Sequence, residues 1–83
     1  MKKINVSVVV PYIDEEYNIL LPINLDGKDA ITLIQNTVFE LSNEVYIVKD
    51  KCFLIDCYSG NIINSNNIIK FSGLKNGSRV LLV

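Results

Sequence analysis

The sequence predicts an α+β domain, a mixed sheet of four to five strands with one main helix packed diagonally across one face. Three observations predict it. The chain opens and closes on apolar, β-branched runs, Ile4 to Val10 and Val80 to Val83, which suit strands paired at the middle of a sheet. One stretch alone, about Gly27 to Ser42, carries a long helical pattern with a capping residue before it. Finally, 83 residues at 49% apolar support a single domain spanning 1–83. A chain this short buries only about 60% of its unfolded surface, so a second core is excluded.

Each element follows in order. Ile4 to Val10 alternates as a strand, with Val6, Val8 and Val10 on one face and Asn5, Ser7 and Val9 on the other. Pro11 to Glu16 gathers a proline and three consecutive acids, which predicts a loop of about six residues before a second strand, Tyr17 to Ile23. Pro22 cannot donate to a ladder, which sends that strand to a sheet edge. In the helix, Asp26 is the N-cap, Asp29 sits at the third position, and Leu25 precedes as a staple. Ala30, Ile31, Ile34, Val38 and Leu41 share one face, while Leu33 and Phe39 fall outside it as flank packing or as partner contacts.

Beyond the helix, Val45 to Val48 reads as a short extended piece, Cys52 to Tyr58 as a strand, and Ile62 with Ile63 as a brief return strand. The polarity of Asp56 would turn Phe53, Ile55 and Cys57 inward; the opposite register buries Leu54. Asn64 to Asn67 is expected to cap one helical turn whose Ile68, Ile69 and Phe71 form a buried plug. Gly73 to Gly77 is a tight turn into the last strand, Ser78 to Val83.

Composition excludes much chemistry. There is no histidine, which removes every Cys-His, Ser-His and His-metal arrangement. The formal net charge is −1 with the eight basic residues scattered, against what phosphate-backbone binding requires, so no nucleic-acid partner is expected. Lys2 and Lys3 before an apolar stretch suggest an export signal, but Asn5, Ser7, Pro11 and the following acids break the pattern. No membrane insertion and a cytoplasmic location are expected. Cys52 and Cys57 lie about 17 Å apart on a straight strand, whereas a disulfide needs Cα atoms within about 7 Å. Both read as small apolar residues. An enzyme would have to use Asp14, Glu15 and Glu16 with Tyr12 or Tyr17, yet three consecutive carboxylates cannot face one point, and a solvated loop explains them. No catalytic, metal or cofactor site is expected.

The element order, with the ending Gly73-Leu74-Lys75-Asn76-Gly77-Ser78-Arg79-Val80-Leu81-Leu82-Val83, resembles the ubiquitin-like β-grasp fold over the whole length. Leu54-Ile55 before the Ser59-Gly60 turn looks like ubiquitin's third-strand hairpin, and this resemblance points Leu54 inward and Ile55 outward. Within the superfamily, the early first strand, the Pro22-Ile23-Asn24-Leu25 passage into a capped helix and the closing strand look most like the YukD/EsaB-like proteins of type VII secretion in Gram-positive bacteria. The resemblance implies a non-catalytic cytosolic accessory or regulatory component, monomeric or weakly dimeric, that binds other secretion proteins such as a membrane ATPase or membrane component.

In ubiquitin's register the open sheet face would carry Val9, Ile55, Leu81 and Val83, a partner surface if exposed and core if the alternation slips. Because the sequence stops at Val83, without the Gly-Gly tail of ubiquitin and the sulfur carriers, action by C-terminal conjugation is not expected. The alternative is an unrelated ubiquitin-like interaction module, either an antitoxin-like partner or a sulfur-carrier relative that lost its tail.

Overall fold

The structure, a computed structural model, describes residues 2–83. Strands β1 (Lys3–Val10), β2 (Glu15–Pro22), β3 (Leu54–Asp56) and β4 (Arg79–Leu82) form one sheet, and helix α1 (Gly27–Leu41) crosses it. The strand order is β2-β1-β4-β3, with β1 and β4 parallel at the centre and the two outer pairs antiparallel. This is the ubiquitin-like fold. The central pair is the one predicted from the two valine-rich runs, and Pro22 does end the edge strand β2.

Alternation fixes which face meets the helix. Val6, Val8, Val10, Val80 and Leu82 are buried under α1, together with Ile19 and Leu21 of β2. Leu54 is fully buried, so the register drawn from Asp56 is overturned. The reason is local. Asp56 ends β3 with its carboxylate turned into the following reversal, accepting hydrogen bonds from the Tyr58 N–H at 3.0 Å and the Ser59 hydroxyl at 3.2 Å. A satisfied carboxylate at a strand end tolerates the inward face.

The acidic hairpin also differs from expectation. A turn of 3₁₀ helix at Pro11–Ile13 and a left-handed Asp14, φ 54°, close it in four residues, and the Asp14 N–H donates to the Pro11 carbonyl. Glu15 and Glu16 are therefore strand residues on opposite faces and not part of a six-residue loop. Val45 to Val48 is irregular, Cys52 to Tyr58 holds regular strand only at Leu54–Asp56, and Ile62 makes a single bridge to Ile55. Among the described residues, four strands form where four to five were expected.

At the helix start, Asp26 is the N-cap as expected, accepting from the Asp29 N–H at 2.8 Å. The next two amides are capped from a distance. Gly27 N–H donates to the Asn67 carbonyl at 2.8 Å and Lys28 N–H to the Ser65 carbonyl at 3.0 Å. The polar run Asn64 to Asn67 thus docks on the positive end of α1, where unpaired amides favour carbonyl oxygens. The turn that follows is not a fully buried plug. Ile69 is buried, but Ile68 and Phe71 are exposed, because the single 3₁₀ turn Ile69–Phe71 presents only one side to the core.

At the far end, Ser42 is the C-cap and Asn43 and Glu44 adopt positive φ, carrying the chain away from the helix axis. Leu41 lies just before this reversal and is exposed, contrary to the helical wheel. Beyond the reversal, Tyr46 is the fully buried residue.

Candidate functional site

Among the described residues, no helix or strand covers the sheet face turned away from α1. Its side chains follow directly from register. Val9 is opposite Leu81, Leu81 is opposite Ile55, and Ile55 is bridged to Ile62, so these four lie in one row across the sheet. With strands about 4.8 Å apart, the row is about 14 Å long. Glu16, opposite Val9, ends it on the β2 side. Val9, Ile55 and Leu81 are half-buried, while Ile62 is 60% exposed.

Phe53 and Val83 widen the row. They are backbone-paired, with Phe53 N–H donating to the Val83 carbonyl at 2.7 Å and Val83 N–H returning to Phe53 at 3.0 Å. Phe53 is 52% exposed and Val83 39%. A solvated sheet face is normally polar, so six neighbouring apolar side chains make an apolar patch of the kind that marks interaction sites.

The parallel row beside it is polar. It runs Asn18, Ser7, Arg79 and Cys57, with Ser7 Oγ donating to Asn18 Oδ1 at 2.9 Å. Arg79 Nη2 reaches across β1 to Glu16 Oε1 at 3.0 Å, and this hydrogen bond holds the guanidinium even more firmly protonated than usual. Apolar and polar halves therefore adjoin, with a cation and an anion at their boundary. The ion pair is exposed at both ends, so solvent screens it and it adds little to stability. Replacing Arg79 with alanine is expected to leave the urea midpoint almost unchanged, within the shift that such a pair allows.

The expected site residues fall into two groups. Val9, Ile55, Leu81 and Val83 come together on the open face. Leu33 and Phe39 do not join them. They lie on α1 and pack half-buried against the core, so the helix carries them away from the sheet's free surface. Phe53 and Ile62 belong to the patch but were not foreseen there. The alternation of Leu54 and Ile55 already implied Phe53, whereas Ile62 depends on a long-range bridge.

Glu15 and Glu16 lie on opposite faces of β2, and with Asp14 and Arg79 they border an open hollow at the end of the β1–β2 hairpin. Among the described residues, no group of three or more Cys, Asp or Glu side chains is placed to hold a metal ion. Cys57 is exposed on the polar row, and Cys52 is half-buried on the helix side; both are free thiols.

A buried polar cluster holds the chain after α1. Gln35 Oε1 accepts from Tyr46 Oη at 2.7 Å and from the Lys49 N–H at 2.8 Å, and Gln35 Nε2 donates to the Lys49 carbonyl at 3.0 Å. Tyr46 Oη also lies 3.9 Å from Cys52 Sγ. Burial first, then the neighbouring Cys52, pushes the Tyr46 phenol well above its ordinary value. The cluster is structural and fixes the path of residues 46–52.

No protein-family model matches the chain, and no curated protein matches it significantly in sequence. Solved structures do. A chain from work on molecular mimicry of SUMO that promotes DNA repair overlays with a TM-score of 0.74 at 18% identity, covering 100% of this chain and 92% of that one. A chain of a toluene 4-monooxygenase HD complex gives 0.77 at 11% identity, with 99% and 98% covered. The ubiquitin-like domain of ECCD1, a type VII secretion system protein of Mycobacterium tuberculosis, gives 0.66 at 12% identity, with 100% and 99% covered. At these identities the shared property is the fold, and the chain is a ubiquitin-like domain by fold.

Proposed function

We propose that this chain is a non-catalytic interaction module, a cytosolic accessory or regulatory component of a bacterial type VII secretion system of the YukD/EsaB kind. It binds a protein of that machinery through the open sheet face. The observation that carries the reading is the Val9–Leu81–Ile55–Ile62 row, half-buried at its first three members and exposed at Ile62, on a face where alternation would otherwise place polar residues. The likeness to the secretion-system domain supports the choice of machinery. The apolar half supplies the area removed from water, and the Arg79–Glu16 pair beside it sets orientation.

A second reading, a ubiquitin-like interaction module outside secretion, is favoured by one fact: the SUMO-mimic and monooxygenase chains overlay at least as well as the secretion domain. The encoding neighbourhood separates the two. An FtsK-like ATPase and small WxG-type proteins alongside this gene support the first reading, and their absence supports the second.

The proposal predicts that Leu81→Glu leaves the fold intact, with the same amide dispersion, and weakens binding to the cytosolic part of the secretion ATPase at least tenfold. Unfolding of Leu81→Glu would instead make the row part of the core.

A further inference from the structure

A concavity adjoins the apolar row at its β3 end, where Phe53 and Ile62 border both. Between α1 and the segment 48–53 runs an open groove of about 770 Å³, with Ile31, Val48, Cys52 and Phe53 along it and Gln35 at its floor. Its walls are preorganised, because the Gln35 side chain is hydrogen-bonded to both backbone groups of Lys49. Charge is concentrated there. Lys28, Lys49 and Lys51 line it with Asp50 as the single acid, so three of the chain's eight basic residues and one of its nine acids meet at this place. In a chain of net charge −1 the groove is locally cationic over an apolar lining.

We propose that this groove docks a partner's short peptide segment in which a few aliphatic or aromatic residues are flanked by carboxylates. The apolar lining takes the central side chains, and the lysines take the flanking acids. Lys49 is already engaged, its Nζ lying 5.7 Å from the Tyr12 ring centroid, so Lys28 and Lys51 carry most of the charge selection. In a second copy of this chain, the run Asp14 to Glu16 does not offer such a segment. That stretch is folded into the hairpin, with Asp14 N–H on the Pro11 carbonyl and Glu16 paired to Arg79.

The test is an amide-shift titration of the full ¹⁵N-labelled chain with acetyl-EEILLFEE-amide, alongside the lysine-flanked acetyl-KKILLFKK-amide and the apolar-deficient acetyl-EESGSSEE-amide. Saturable shifts are expected at Ile31, Gln35, Val48 and Cys52 with the first peptide alone, while Val9 and Leu81 stay unmoved. The Lys28→Glu/Lys51→Glu variant should weaken binding about tenfold and raised salt severalfold, as exposed charge pairs require. Both lysines are exposed, and a glutamate in the first turn of α1 suits the helix dipole, so the variant keeps its fold. The proposal is overturned by no shifts at about 2 mM peptide, by an equal response to the lysine-flanked peptide, by shifts centred on Val9 and Leu81, or by a charge-reversed variant that binds as well. Groove shifts that appear on concentrating the chain alone would assign the groove to a second copy and overturn it too.

Discussion

Gly27→Ala is expected to lower the unfolding free energy by about 3 kcal/mol and the thermal midpoint by about 15 °C. In an ordinary helix the same change stabilises by up to about 1 kcal/mol, so even the sign is diagnostic. The cause is the close approach of the docked segment 64–67 to the helix start. A methyl group on Gly27 would overlap the Asn64 carbonyl oxygen and lie 2.8 Å from Ser65 Cα. These are backbone atoms and cannot rotate aside. The segment must retreat, and the hydrogen bonds from Gly27 and Lys28 to Asn67 and Ser65 go with it. Gly60→Ala is the matched control. Gly60 has φ +77° but open space around its Cβ position, so only the left-handed backbone is penalised, at about 1 kcal/mol. Calorimetry on both variants gives the comparison, and a neutral Gly27→Ala would remove the docked contact from the account.

Gln35→Leu is expected to destabilise by about 2 kcal/mol, because it strands the buried Tyr46 hydroxyl and breaks the two half-buried bonds to the Lys49 backbone. Tyr46→Phe removes one donor and leaves Gln35 its two bonds to Lys49, so about 1 kcal/mol is expected. The two changes share partners and should be non-additive by about 1 kcal/mol in a double-mutant cycle. The same cluster gives a pH signature. The Tyr46 phenol titrates above its unfolded value, so below about pH 10 both states hold the proton and stability is unaffected. Above that, the unfolded chain releases the proton while the folded chain keeps it. Stability then falls with rising pH, by up to about 1.4 kcal/mol per unit, until the folded phenol itself ionises. Urea midpoints for wild type and Tyr46→Phe measured between pH 8 and about pH 11 should diverge only at the alkaline end. Parallel curves would contradict the buried, protonated phenol.

The central architecture was legible because two kinds of signal agreed. Val6, Val8 and Val10 alternate, and Ala30, Ile34 and Val38 recur at helical spacing, so both faces of the core could be read without contacts. What failed depends on contacts between distant segments. Leu41 is exposed and Tyr46 buried on either side of the left-handed Asn43 and Glu44, and no periodicity records such a reversal. Asp56 misled because its polarity is satisfied by the next turn and not by solvent. Glu15 and Glu16 passed for loop because charge marks exposure, and an edge strand is exposed as well.

The open face was half legible. Val9, Ile55, Leu81 and Val83 follow from register once the strand order is known. Phe53 and Ile62 complete the patch through pairings at the ends of β3, where hydrogen bonds continue past the regular strand. Leu33 and Phe39 carried the same apolar signal but belong to the flanks of the core. Hydrophobicity alone does not separate a side chain that faces a partner from one that faces its own helix's neighbours.

The most direct measurement is an amide-shift map of the ¹⁵N-labelled chain titrated with the cytosolic part of the secretion ATPase from the same genome. The account predicts perturbations centred on Val9, Ile55, Ile62 and Leu81, reaching Arg79 at the polar border and disappearing in Leu81→Glu. A saturating complex whose perturbations leave that row untouched, or no complex at all, would contradict it.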